Sequence, residues 1–185
     1  MTLIFYIIIG IITFIAFLHA AAKKEYDISR TVVINCPKEE VFNLVRQLKK
    51  ERLWMPWFAN NYEGILRYKG DDGKIGAYLY WKGHKKFYEG TQNITKINHG
   101  KIIETKISIV KPFKMMLLEY KGLKEIDDNK TKMVWGVKGY LAFPFSVFAL
   151  IQPVDKAYGK ELELGLKKLK TILEVKNKSK GIQDL

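Results

Sequence analysis

Hydrophobic and polar positions fall into three regimes along the 185 residues. Leu3 to Ala22 is a run of twenty residues without a charge, with seven isoleucines and three phenylalanines between Leu3 and Leu18. From Ile28 to Leu141 short segments alternate with a period of two, the signature of half-buried strands. From about Phe145 to Val175 the apolar positions Phe148, Ile151, Tyr158, Leu162, Leu166, Leu169 and Leu173 recur at helical spacing.

The first regime predicts a transmembrane helix. Twenty helical residues match the ~30 Å hydrocarbon core, and at roughly −0.3 to −0.6 kcal/mol each its dozen Ile, Leu and Phe side chains favour insertion by several kcal/mol. No basic residue precedes the run, whereas Lys23, Lys24 and Arg30 follow it. That asymmetry predicts a retained single-pass anchor with the rest of the chain on the cytoplasmic side. The alternative is a signal peptide cleaved at Ala20-Ala21-Ala22 and an exported protein. His19 is expected at the interface.

In the second regime the pattern predicts seven strands. Ile28 to Asn35 is the first, and Pro37-Lys38-Glu39-Glu40 then opens a helix, with proline at a favourable first position and acids facing the helix dipole. Val41, Phe42, Leu44, Val45 and Leu48 form its apolar stripe. An aromatic turn follows at Trp54-Met55-Pro56-Trp57. Then come Tyr62 to Lys69, a hairpin over Gly76 to Ile94 turning at Gly83-His84-Lys85-Lys86, Lys101 to Val110, Met115 to Ile126 and Thr131 to Leu141. Short connections predict an antiparallel meander.

One parity on each strand reads as the inward one. In the hairpin it carries Ala77, Leu79 and Trp81, then Tyr88, Gly90, Gln92 and Ile94. Later it carries Ile103, Thr105, Ile107 and Ile109, then Met116, Leu118 and Tyr120, then Met133, Trp135, Val137 and Gly139. Glu89, Glu104, Glu119 and Lys121 fall on the outward parity; Leu117 breaks the pattern on that side. The sheet is therefore one-faced. The final helix, kinked at Pro153 or Gly159, is long enough to cover it. The predicted organisation is an anchor over 1–22, a linker over 23–27, one α+β domain over 28–175 and a disordered basic tail over 176–185.

The formal net charge of +13 lies wholly at or after Lys23, and only Arg30, Arg46, Arg52 and Arg67 among the 32 basic residues are arginine. Nucleic-acid recognition favours the arginine fork, so this composition, with aromatics on the apolar parity, argues against nucleic acid. It suits either a solvated lysine-biased surface or attraction to an anionic leaflet. Cys36, the single cysteine, permits no internal disulfide and reads as a residue at a helix start without a histidine to activate it.

The order of elements and certain local motifs resemble the START-like or SRPBCC superfamily, in its polyketide cyclase/dehydrase-like branch. Ile34 to Phe42 resembles the family's passage from strand to helix, and Trp54 to Trp57 its aromatic turn. Gly76, Leu79, Trp81, Gly83, Gly90 and Ile94 stand as in its central hairpin. Lys111-Pro112-Phe113 resembles its loop before the sixth strand, Trp135 with Gly139 its last strand, and Gly165-Leu166 with Lys168-Leu169-Lys170 the end of its last helix. The likeness spans residues 28 to 174 and leaves the anchor outside. It implies a helix-grip fold, a seven-stranded antiparallel sheet wrapped around a long C-terminal helix with two short helices after the first strand.

It also implies a hydrophobic pocket between sheet and final helix. The residues expected to line it are Trp57, Leu79, Trp81, Tyr88, Gln92, Thr105 and Ile107 from the first half of the domain. Met116, Leu118, Tyr120, Trp135, Val137, Tyr158 and Leu162 complete it. Gln92, Thr105 and Tyr120 would be its polar points among apolar walls. The competing reading is a filled core in which Trp81, Trp135, Met116, Leu118, Tyr158 and Leu162 simply pack. The expected occupant is a hydrophobic small molecule or lipid. The alternatives are a cyclase-like or hydrolytic enzyme in the same pocket and a protein-interaction module without ligand.

Candidates for chemistry are few. His84 and His99 fall in turns, and Asp155, with Glu161 beside it on the final helix, is the acid that would serve as a base. Three scattered histidines and one cysteine match no metal spacing, no glycine-rich phosphate loop follows a strand, and no cofactor is expected.

Overall fold

A computed structural model describes residues 2–58, 63–83, 88–111 and 113–183. The expected turn beyond Gly83, with His84, and the positions of Tyr62 and Pro112 lie outside the described residues. Helix α1 (Thr2–Ala21) has no buried residue, and it is long and apolar enough to cross a membrane. A signal sequence near an N-terminus can also be that long and apolar.

Seven strands form one antiparallel sheet: β1 (Glu25–Ile34), β2 (Ile65–Lys69), β3 (Tyr78–Lys82), β4 (Glu89–Asn98), β5 (Ile102–Lys111), β6 (Met115–Asp127) and β7 (Lys130–Tyr140). Their order is β1-β7-β6-β5-β4-β3-β2, so β2 to β7 make a meander and β1 closes beside β7. The strand β1 starts inside the stretch expected as linker, because Glu25 pairs with Tyr140 and the Leu141 amide donates to the Lys24 carbonyl.

Helix α2 (Lys38–Val45) buries Val41, Phe42, Leu44 and Val45. It stops earlier than the apolar stripe suggests, and a 3-10 segment, Leu48–Leu53, takes over. Asp72, from the turn before β3, accepts hydrogen bonds from the amides of Leu48 (2.7 Å) and Lys49 (3.3 Å). A carboxylate there satisfies donors that no preceding turn can reach. A second 3-10 turn, Pro56–Phe58, completes the aromatic corner.

The C-terminal segment is two helices. Pro153 separates α3 (Phe145–Ile151) from α4 (Val154–Gln183), since proline removes a donor and disfavours helix in the residue before it. Gly159 lies within α4 and kinks nothing; it lets Arg30 lie flat on the helix, its Cζ 2.7 Å from where a Cβ would stand. Thirty residues make α4 about 45 Å long, and it continues through the segment expected to be a disordered tail. Leu162, Leu166, Leu169 and Leu173 are its buried stripe, packed with Ile28, Ile34, Met133 and Trp135 in one core.

Inward parity holds for β3, β4, β5 and β7, and it is reversed on β6. Glu119 pairs with Val137 and Lys121 with Trp135 in register, and residues directly opposite each other share a face. Met115, Leu117, Glu119, Lys121 and Leu123 therefore point inward. Met116 (59% exposed) and Leu118 (37%) lie on the outer face. Tyr120 is outside too, covering Gly136 and donating to Asp27 at 2.7 Å.

Candidate functional site: an apolar cavity beside a buried polar cluster

The sheet's concave face is covered unevenly. Under α4 it is filled: Trp54 and Trp57 pack on Trp135 at centroid distances of 4.8 and 5.3 Å, and Gly165 admits the Trp135 ring against the helix. Under α3 it is open. There a cavity of about 230 Å³ lies between the sheet, the aromatic corner and α3 with the start of α4. Trp81, Gln92, Ile107, Ile109, Met115, Leu117 and Val137 line it from the sheet, Trp57 and Phe58 from the corner. Phe145, Phe148, Ala149 and Gln152 close it from α3, and Tyr158 and Leu162 from α4.

Of the residues expected there, Trp57, Trp81, Gln92, Ile107, Val137, Tyr158 and Leu162 come together around the cavity. Leu79, Thr105 and Trp135 are buried in the packed part of the core and do not line it. Tyr88 precedes β4 and is exposed. Met116, Leu118 and Tyr120 are excluded by the reversed face of β6, where Met115 and Leu117 take their place. Leu117, the residue that broke the expected alternation, was the available signal for that reversal. The periodicity placed Phe148 and Ile151 in one continuous final helix and gave no sign of a separate α3, which depends on the break at Pro153.

No acid or base lines the cavity among the described residues. Its polar groups are Gln92, Gln152 and the hydroxyls of Tyr26 and Tyr158. Burial pushes the Tyr26 phenol up to about 12, with Tyr158 beside it adding to the effect. The Tyr26 phenol therefore enters as a neutral group. Asp155 lies outside the lining and is 60% exposed at its side chain. Arg30 binds it through two hydrogen bonds of 2.8 and 3.0 Å, and those bonds hold its carboxyl below the usual range. A carboxylate so held is a weak base. Among the described residues no group of His, Cys, Asp and Glu is arranged to hold a metal ion.

Behind Gln92 lies a cluster that the alternation pattern hid. Glu51, Glu119 and Lys121 are all essentially inaccessible. The Gln92 amide nitrogen donates to Glu51 Oε1 at 3.0 Å and to Glu119 Oε2 at 3.1 Å. Lys121 Nζ donates to Glu51 Oε1 and lies 3.3 Å from Glu119 Oε2. Trp135 Nε1 donates to Glu119 Oε1 at 2.7 Å, and the Lys121 ammonium stands over the Trp54 ring at 5.6 Å. One ammonium thus faces two carboxyls. Burial drives the Glu51 carboxyl up to about 8, against the opposing pull of Lys121 and with Glu119 adding to the rise. Burial acts to lower the Lys121 ammonium, but Glu119 and Glu51 together outweigh it and leave it raised. At neutral pH the cluster holds a proton on Glu51, which removes the excess negative charge from the interior.

The cluster fixes Gln92. Both contacts are donations from the amide nitrogen, which therefore faces the cluster. The carbonyl oxygen is then the part of Gln92 left to meet a donor in the cavity.

No protein-family model and no curated protein sequence matches the chain. Solved structures do. The Aha1 dimer protein of Colwellia psychrerythraea is similar at 12% identity over 81% of this chain and 97% of its own, with a TM-score of 0.56. A protein of Nitrosospira multiformis matches at 15% identity over 83% of this chain and 99% of its own, TM-score 0.56. A norcoclaurine synthase mutant of Thalictrum, solved with a transition-state analogue, matches at 7% identity over 78% of this chain and 94% of its own, TM-score 0.58. These neighbours are Aha1-like and SRPBCC-type proteins. At such low identity the likeness concerns the fold alone, and by that fold the chain is a helix-grip protein.

Proposed function

We propose that this chain is a membrane-anchored binding protein for a hydrophobic small molecule or a lipid chain, held in the cavity under α3. The observation that carries the reading is the cavity itself, mostly apolar with Gln92 as a fixed polar point at its sheet wall. Small-molecule sites typically combine apolar walls with a few placed polar groups. Its volume of about 230 Å³ is at or below the low end of the roughly 300–1,000 Å³ usual for such sites. That suits one ring system or a single acyl chain and is small for a whole two-chain phospholipid. An uncharged ligand is favoured, because no counter-charge lines the walls among the described residues and a buried unpaired charge is costly. Anchoring by α1 would keep the domain at the bilayer, where hydrophobic ligands concentrate. The lysine-biased surface would add attraction to anionic lipid.

A nitroxide-labelled fatty-acid methyl ester titrated into nanodiscs containing the full chain tests this through Trp57 and Trp81, both at the cavity wall. Saturable quenching is expected, and Val137→Phe, which places a ring in the cavity, should remove it. Quenching that never saturates and is equal in both proteins would mean the probe sits only in the bilayer.

A further inference from the structure

Register places the α1 junction and the cover of the cavity at one end of the sheet. The first residue of β1, Glu25, lies opposite Tyr140 at the end of β7, and Met115 at the start of β6 lies opposite Ile109 near the end of β5. The last turn of α1 is attached there: His19 Nδ1 is 2.7 Å from Ser146 Oγ, and the His19 ring meets Phe143 edge-on at 5.6 Å. Short helix α3 thus touches α1 on one side and the cavity on another.

The remaining side of α3 is apolar and uncovered. Ile151 is 84% exposed, with Leu150 and Phe143 exposed beside it, and Phe148, 61% exposed, stands where this side meets the cavity. Exposed Phe113 extends the patch and packs on Phe145 at 4.5 Å. A soluble surface seldom gathers so many large apolar side chains without a partner. Lys23, Lys24 and Lys114 stand at the same end, none of them in an ion pair among the described residues, while of the acids nearby Asp155 is bound by Arg30, Asp27 is paired with Lys138, Glu89 with Lys111, and Glu25 remains. Apolar side chains inside a basic rim have the chemistry of a surface that lies in lipid headgroups.

Continuity with α1 selects the occupant. If α1 spans a bilayer, its last turn sits at the membrane surface, and residues in contact with that turn sit at the same depth. We infer that α3, with the flanking Phe113 and Phe143, docks into the leaflet from which α1 emerges, so that the element covering the cavity lies in lipid and the ligand is taken from the bilayer. This rests on the anchoring role proposed for α1.

The test places an environment-sensitive nitrobenzoxadiazole label at one introduced cysteine at a time in the full chain, reconstituted in nanodiscs of equal parts phosphatidylcholine and phosphatidylglycerol. Native Cys36 is buried and stays unlabelled under folding conditions. The three variants are Ile9→Cys within α1, Ile151→Cys on α3 and Asp128→Cys in the turn at the opposite end of the sheet. Spin-labelled lipid is expected to quench the labels at 9 and 151 severalfold and to leave the label at 128 unchanged. Quenching at 9 with position 151 behaving like 128 overturns the docking and leaves the anchor intact. No quenching at 9 removes α1 from the bilayer and the docking falls with it. A label at 151 shielded from aqueous iodide yet untouched by spin-labelled lipid would assign the patch to a protein partner and also refute the inference.

Discussion

Replacing Glu51 by glutamine should abolish a pH dependence of stability that the buried cluster imposes. In the fold the Glu51 carboxyl stands at about 8, against 4.5 for an unperturbed glutamate. Between those values the folded chain holds a proton that the unfolded chain releases, so stability falls as pH rises. The contribution is fully present below the unfolded value and is lost as pH passes through the folded one. From 4.5 to about 8, at about 1.4 kcal/mol per unit, the loss amounts to about 5 kcal/mol. Glutamine reproduces the protonated acid: its carbonyl can still accept from Lys121 and Gln92, and it does not titrate. Urea unfolding of the full chain in a non-ionic detergent, followed by tryptophan emission, measures the difference, since Trp54 and Trp135 pack against the cluster. Stability of the parent protein relative to Glu51→Gln should decline steadily from mildly acidic to mildly alkaline pH. Parallel profiles for the two proteins would show that Glu51 enters the fold ionised and that the reasoning about the cluster is wrong.

Other substitutions probe the packing and the site. Gly90→Ala should destabilise by about 1–3 kcal/mol, read as a lower urea midpoint, because a Cβ there would overlap the Trp81 ring and stand 2.9 Å from the Ser108 carbonyl oxygen. Leu79→Ala, in the filled part of the core, should cost about 2–5 kcal/mol, and Ile107→Ala at the cavity wall clearly less; equal losses would mean the cavity is not open in solution. Asp155→Asn should leave quenching by the fatty-acid ester unchanged, since Asp155 is committed to Arg30 outside the cavity; loss of binding would bring that residue back into the site.

Most of the sheet could be read from alternation because most inward positions are apolar. Trp81, Ile94, Ile103, Met133 and Trp135 are inward in both readings. Alternation fails on β6 for a physical reason: an ion pair with its own hydrogen bonds can occupy inward positions that periodicity reserves for apolar side chains. Met116 and Leu118 then look like core and lie outside. Glu51 is hidden in the same way, within Lys49-Lys50-Glu51-Arg52, a stretch that reads as solvated until Asp72 folds it into a 3-10 turn over the sheet. The cavity was expected from resemblance, and its location under α3 followed from Pro153, whose position was visible although its consequence was not.

Native mass spectrometry of the full chain released from nanodiscs, with solvent extraction of any retained molecule, tests ligand binding most directly. A discrete hydrophobic adduct should be carried by the parent protein and be missing from Val137→Phe, whose ring occupies the cavity. A bare chain mass after incubation with a total lipid extract, or an adduct kept equally by Val137→Phe, would mean that the space under α3 holds no ligand.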